Sequence, residues 1–135
     1  MTVNDLRERE LGIELETDFL ASVQSSWVNP TKAFPGGESN EAAQRRGLAV
    51  VRHVVALHPG GHVVLSTHGN LLALIVNALR PEVGFEFWKD LTFPDVYELT
   101  IEASVLTSMR RLWNHTQDTS LEDSPVDPSG YDRVS

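Results

Sequence analysis

The stretch HVVLSTHGNLLALIVNAL, residues 62–79, decides the fold. Residues 62–67 are short, β-branched and nearly all apolar, which suits a strand covered on both faces. Residues 70–79 are apolar at almost every position and stop before Pro81, the pattern of a buried helix. His68 and Gly69 stand between the two. In open α/β sheets, ligands sit at the carboxyl end of a strand where the chain passes into a helix.

That junction has the makings of an anion site. The first N–H groups of a helix lack partners and carry partial positive charge. Gly69 has no side chain to block an approaching phosphate. Asn70 can contribute a side-chain amide or cap the helix. An imidazole at position 68 can donate a hydrogen bond and, once protonated, place charge beside a phosphoryl oxygen. A second reading stays open on this stretch alone: Thr67-His68-Gly69 is a plain strand-to-helix turn with a hydrogen-bonded histidine.

Working outward, residues 16–27 place Phe19, Leu20, Val23 and Trp27 at helical spacing, and Asn29-Pro30 ends the pattern. TKAFPGGES, 31–39, is a loop by its Pro-Gly-Gly content. Ser39 is placed to cap a helix over 39–58, which Pro59-Gly60-Gly61 stops. Residues 85–91 form a further short helix, and 95–102 with 104–113 form a hairpin turning at Ala103 and Ser104. Residues 1–113 thus read as one domain. Residues 114–135, polar with two prolines and no periodicity, read as a mobile tail. Helix, strand, helix and hairpin in this order give the α/β class, although a parallel sheet wants more central strands than this.

Composition narrows the function. A chain of 135 residues supports one core. Nineteen acidic residues against 11 basic ones, a formal charge of −8, oppose broad binding to nucleic acid or anionic membrane. The sequence has no cysteine, so disulfides, thiolate nucleophiles and cysteine metal sites are excluded. With no long apolar run and no signal-peptide pattern at the start, a cytoplasmic location is expected. His58, His62 and His115 read as surface residues rather than metal ligands, and Trp27, Trp88 and Trp113 as packing residues.

One more carboxylate stands out. Glu38 lies in the glycine-rich PGGES loop directly before a helix. There it can serve as a general acid if its surroundings raise its pKa, or simply interact favourably with the helix dipole.

Taken together these pieces resemble the later part of the histidine phosphatase superfamily, the group that contains the cofactor-dependent phosphoglycerate mutases. Leu6, Glu8 and Gly12 match its L-x-E-x-x-x-G segment, and Gly37, Glu38 and Ser39 match its G-E-S segment. Arg46 matches an arginine of the following helix, and His68, Gly69 and Asn70 match its second-histidine motif. The resemblance runs from Leu6 to Glu102.

It implies a three-layer phosphoglycerate mutase-like fold, mostly parallel sheet with helices on both faces and a C-terminal hairpin. It also implies phosphoryl transfer or phosphomonoester hydrolysis through a phosphohistidine, with a phosphate-containing small molecule as ligand and no further cofactor. His68 would hold the phosphoryl group, Glu38 would protonate the leaving oxygen, and Ser39, Gly69 and Asn70 would line the substrate site.

The departure is the nucleophile. The family's Arg-His-Gly motif is absent; Arg52-His53-Val54 matches two of its letters, but within a helix and with Val in place of the glycine. The expectation is a truncated family member, inactive alone. The alternative is a non-catalytic oligomeric or weak anion-binding protein of the same descent. Apolar faces deprived of covering strands favour a homo-oligomer.

Overall fold

Ser39 starts the longest element. Its hydroxyl accepts the Ala42 N–H at 3.1 Å, which satisfies one of the free donors of helix α2 (Asn40–Leu57), the expected cap. In this computed structural model, residues 3–12 and 19–113 are described, with residues 132–134 described for the backbone only. Helix α1 (Phe19–Val28) precedes α2 and buries Val23 and Ser26. The expected start of α1 at 16 lies outside the described residues.

Helix α3 (Gly69–Leu79) buries Asn70, Leu71, Ala73, Leu74, Ile75 and Val76. It packs against α2 where Gly47 removes a side chain: a Cβ there would lie 2.9 Å from Ile75 Cγ1 and 3.0 Å from Leu71 Cδ1. Ala43, Val51, Leu71, Leu74 and Ile75 from these helices form the core, together with Leu6. Leu6 belongs to a short 3-10 helix, Asn4–Leu6, in a segment whose sequence looked merely polar and charged. Its burial shows that the N-terminal segment packs onto the core.

The strand expected over 62–67 is shorter and less covered than its composition suggested. Strand β1 is Val63–Leu65, with Val63 and Leu65 half-buried and Val64 39 % exposed, so one face is open rather than both covered. The side chains alternate across the strand, and only one set reaches the helices. β1 pairs in parallel with β4 (Asp132–Val134), Val63 opposite Asp132 and Leu65 opposite Val134. Three residues of the stretch read as a mobile tail are therefore strand; the rest of 114–135, including His115, lies outside the described residues.

The hairpin follows the sequence closely. β2 (Tyr97–Glu102) and β3 (Val105–Arg111) are antiparallel, and Ala103 (φ 50°) and Ser104 (φ 66°) make the two-residue turn whose twist suits a hairpin. A short helix α4 (Phe85–Lys89) precedes it and stacks Phe85 on Trp88 at 5.5 Å. The α/β class stands. In place of one mostly parallel sheet within three layers, the described strands form two separate pairs, β1–β4 and β2–β3. Among the described residues no helix is long and apolar enough to cross a membrane.

Candidate functional site

The amino end of α3 is already met by a carboxylate. The Asn70 N–H donates to Glu8 Oε2 at 3.1 Å and the Leu71 N–H to Glu8 Oε1 at 2.9 Å. Glu8 therefore caps the helix from 62 residues upstream and places its negative charge where the dipole favours one. Its Oε1 also accepts the Arg9 N–H at 2.8 Å. His68 holds the N-cap position in extended geometry, makes no side-chain capping bond and is exposed. Gly69 faces an aromatic ring: a Cβ there would lie 3.3 Å from Phe93, so the missing side chain makes room for packing on that side.

Beside this cap sits a buried cation. Arg9 is 5 % exposed, and its Nη2 donates to Ser26 Oγ at 2.9 Å. Its Nε and Nη1, and Oδ1 of the equally buried Asn70, have no hydrogen-bond partner among the described residues. Burial pushes the Arg9 guanidinium pKa down, and the negative charges of Glu38 and Glu8 only partly oppose this. Glu8, Arg9 and Asn70 line a cavity of about 400 Å³. Lys89 adds a second positive charge to its wall, and the remainder is mainly apolar, from Phe19, Leu20, Val23, Trp88 and Phe93. Buried polar atoms left unpaired are costly, so the cavity offers an acceptor-bearing ligand a favourable exchange.

Glu38 lies on the other side of the same N-terminal segment. Arg46 Nη2 donates to Glu38 Oε1 at 2.5 Å and Arg46 Nε to Glu38 Oε2 at 3.2 Å. The Glu10 N–H adds a bond to Glu38 Oε1 at 3.1 Å, and the Glu38 N–H returns one to the Glu10 carbonyl at 2.9 Å. Burial raises the Glu38 pKa, but the Arg46 and Glu10 hydrogen bonds, with the charges of Arg46 and Arg7, outweigh it and hold the carboxyl below its ordinary value. Arg46 also donates to the carbonyls of Asp5 (2.7 Å), Arg7 (2.8 Å) and Glu8 (3.0 Å).

The sequence-derived candidates thus fall into two groups. His68, Gly69 and Asn70 meet Glu8 at the start of α3; Glu38 meets Arg46 and Glu10, while Ser39 caps α2. The segment 8–10 joins the groups, and no hydrogen bond links Glu38 to His68 among the described residues. His53 lies mid-helix in α2 and is exposed, as its letters in context indicated. Sequence reading gave no role to Glu8 or Arg9. Their only signal was the match of Glu8 to L-x-E-x-x-x-G, since ERE within a charged run otherwise reads as solvated surface. Among the described residues no group of three or more acidic or histidine side chains is arranged to hold a metal ion.

A family model described as the histidine phosphatase superfamily (branch 1) matches residues 2–116, most of the chain. No curated protein and no solved structure matches it significantly.

Proposed function

Because this chain belongs to the histidine phosphatase superfamily, we propose that the cavity at the start of α3 binds a phosphomonoester or a similar anion, and that the 135-residue chain alone has little or no turnover. The observation that carries the reading is Arg9: a buried guanidinium with two unpaired nitrogens, on the wall of a cavity beside a helix amino end. Phosphate oxygens supply the acceptors that Arg9 lacks, and Lys89 on the same wall adds a donor. In this reading β1 is one strand of the family's larger parallel sheet.

Within that site the carboxylate placed to reach a ligand's leaving oxygen is Glu8 rather than Glu38. Glu8 lines the cavity, whereas Glu38 is committed to Arg46 and is held ionised. A general acid must carry a proton at working pH and reach the leaving oxygen. Turnover through a covalent intermediate also needs a histidine nucleophile, and these residues contain no Arg-His-Gly. His68 stabilises phosphoryl oxygens and does not attack.

The test is to incubate purified chain with a generic phosphomonoester, assay released phosphate and look for acid-labile phosphohistidine, while following binding of inorganic phosphate by amide shifts of Asn70 and Leu71. Binding without turnover is the expected result. Robust turnover abolished by His68→Ala would overturn the assignment of roles, and silent amides would remove the anion site.

A second reading has its own observation. Val28 is 72 % exposed, Leu57 61 % and Val105 59 %, apolar surface that a second copy of the chain could cover. These favour a self-associating protein in which the anion site is secondary.

A further inference from the structure

We propose that the Glu38–Arg46 pair is the positioning device of the cavity: it fixes the backbone that presents Glu8 and Arg9, and it does not itself touch the ligand. The inference rests on the anion-site reading for its functional meaning, but its geometry stands alone.

A guanidinium has five N–H donors. Those of Arg46 make five bonds: one from Nε and one from Nη2 to Glu38, one from Nη2 to the Glu8 carbonyl, and two from Nη1 to the carbonyls of Asp5 and Arg7. No donor is left for a phosphate. The Arg46 side chain is 12 % exposed and that of Glu38 17 %, so the pair is shielded from solvent screening.

The bonds bracket the residues that matter. Arg46 holds the carbonyls of Asp5, Arg7 and Glu8, and Glu38 holds both backbone groups of Glu10. The chain is thereby fixed immediately before and immediately after Arg9. With that stretch fixed, the Glu8 side chain reaches the Asn70 and Leu71 N–H groups and the Arg9 side chain reaches Ser26. The pair needs a fork rather than a point charge, because its acceptors lie in several directions at once.

The experiment reads the Glu8 cap directly. In ¹⁵N-labelled chain, Glu8→Ala defines the amide shifts of Asn70 and Leu71 when the cap is lost. Glu38→Gln, of similar shape, and Arg46→Lys, which keeps the charge but loses the fork, should move those two amides most of the way to the Glu8→Ala positions, while the amides of the β2–β3 hairpin stay in place. A purely structural pair would lower stability without that selective signature. Variants that keep the wild-type shifts at Asn70 and Leu71 overturn the proposal. Hydrogen exchange in the wild-type chain covers the case of a variant that fails to fold: Glu10, Asn70 and Leu71 should share one opening event, and protection at Asn70 and Leu71 that survives exchange of Glu10 overturns it too. Phosphate titration of the wild-type chain tests the anion site separately, since a cap can be positioned correctly with no phosphate bound.

Discussion

Gly12 and Gly37 cross back to back. A Cβ built on Gly12 would stand 2.2 Å from the Gly37 nitrogen, and one on Gly37 would stand 2.3 Å from the Leu11 carbonyl oxygen. Gly12 also takes a φ of +93°, which side-chain-bearing residues rarely adopt. Both clashes are with backbone, so no rotamer relieves them. The crossing lies next to the two Glu10–Glu38 bonds. Gly37→Ala should therefore cost on the order of 3 kcal/mol, the upper range for overpacking, in chemical denaturation. A variant as stable as the wild type would mean that the two segments do not touch in solution.

Gly47 gives a milder version of the same experiment. Alanine there gains about 1 kcal/mol of helix propensity. Its methyl would meet Ile75 and Leu71, which are 3 % and 0 % exposed and have little room to yield. Overpacking of about 1–3 kcal/mol should exceed the gain. The expected outcome is net destabilisation of Gly47→Ala, partly recovered when Ile75→Val is added. Stabilisation by the single change would contradict the close approach of α2 and α3.

Acid should weaken the fold through two carboxylates. Asp95 accepts Arg111 Nη2 at 2.6 Å and the Thr92 and Val96 N–H groups at 2.9 Å each. Burial raises its pKa, but these bonds and the charge of Arg111 bring it below the ordinary value, as happens at Glu38. A carboxyl with a depressed folded-state pKa contributes stability above its unfolded pKa and loses it as pH falls through the folded one. The loss should begin near pH 4 and continue below it. Denaturation midpoints across that range should flatten in Glu38→Gln and in Asp95→Asn; unchanged slopes in both would refute the linkage.

Glu8 and a bound anion compete for the same N–H groups. Removing the charge with Glu8→Gln should tighten phosphate binding by about fivefold, the equivalent of roughly 1 kcal/mol of like-charge repulsion in a solvent-like dielectric. The shifts of Asn70 and Leu71 on titration with phosphate measure it. Weaker binding in this variant would place the anion elsewhere.

Exposed apolar side chains should make the chain associate. Sedimentation across micromolar concentrations is expected to show a dimer or larger species, and Val28→Lys with Val105→Lys should shift it toward monomer. A concentration-independent monomer in the wild type would remove the second reading of function.

The features legible in the sequence are those with local causes. Ser39 capping α2, the end of that helix at Pro59-Gly60, and the Ala103-Ser104 turn each depend on a few adjacent residues, and each is found. β1 misled because an apolar run marks residues able to enter a strand, while strand length depends on what pairs with them; among the described residues the β1–β4 ladder runs over Val63–Leu65. Glu8 and Arg9 stayed hidden for a related reason. Their partners, Asn70, Leu71 and Ser26, are 17 to 63 residues away, and nothing in the letters LRERELG indicates that one arginine is buried while its neighbours are not. Glu38 was noticed for its place before a helix, but Arg46, which decides its ionisation, faces it only once α2 has formed.

The five bonds of Arg46 also set an order of assembly. Its contact with Glu38 spans 8 residues and can form as α2 coils, whereas the carbonyls it gathers are 38 to 41 residues upstream. Closing so long a loop costs chain entropy before any contact repays it. With the guanidinium already oriented by Glu38, one closure delivers three acceptors together, so the N-terminal segment is expected to dock as a single late event. The cavity exists only after that event, and a refolding chain should recover its helices before it regains any capacity to hold an anion.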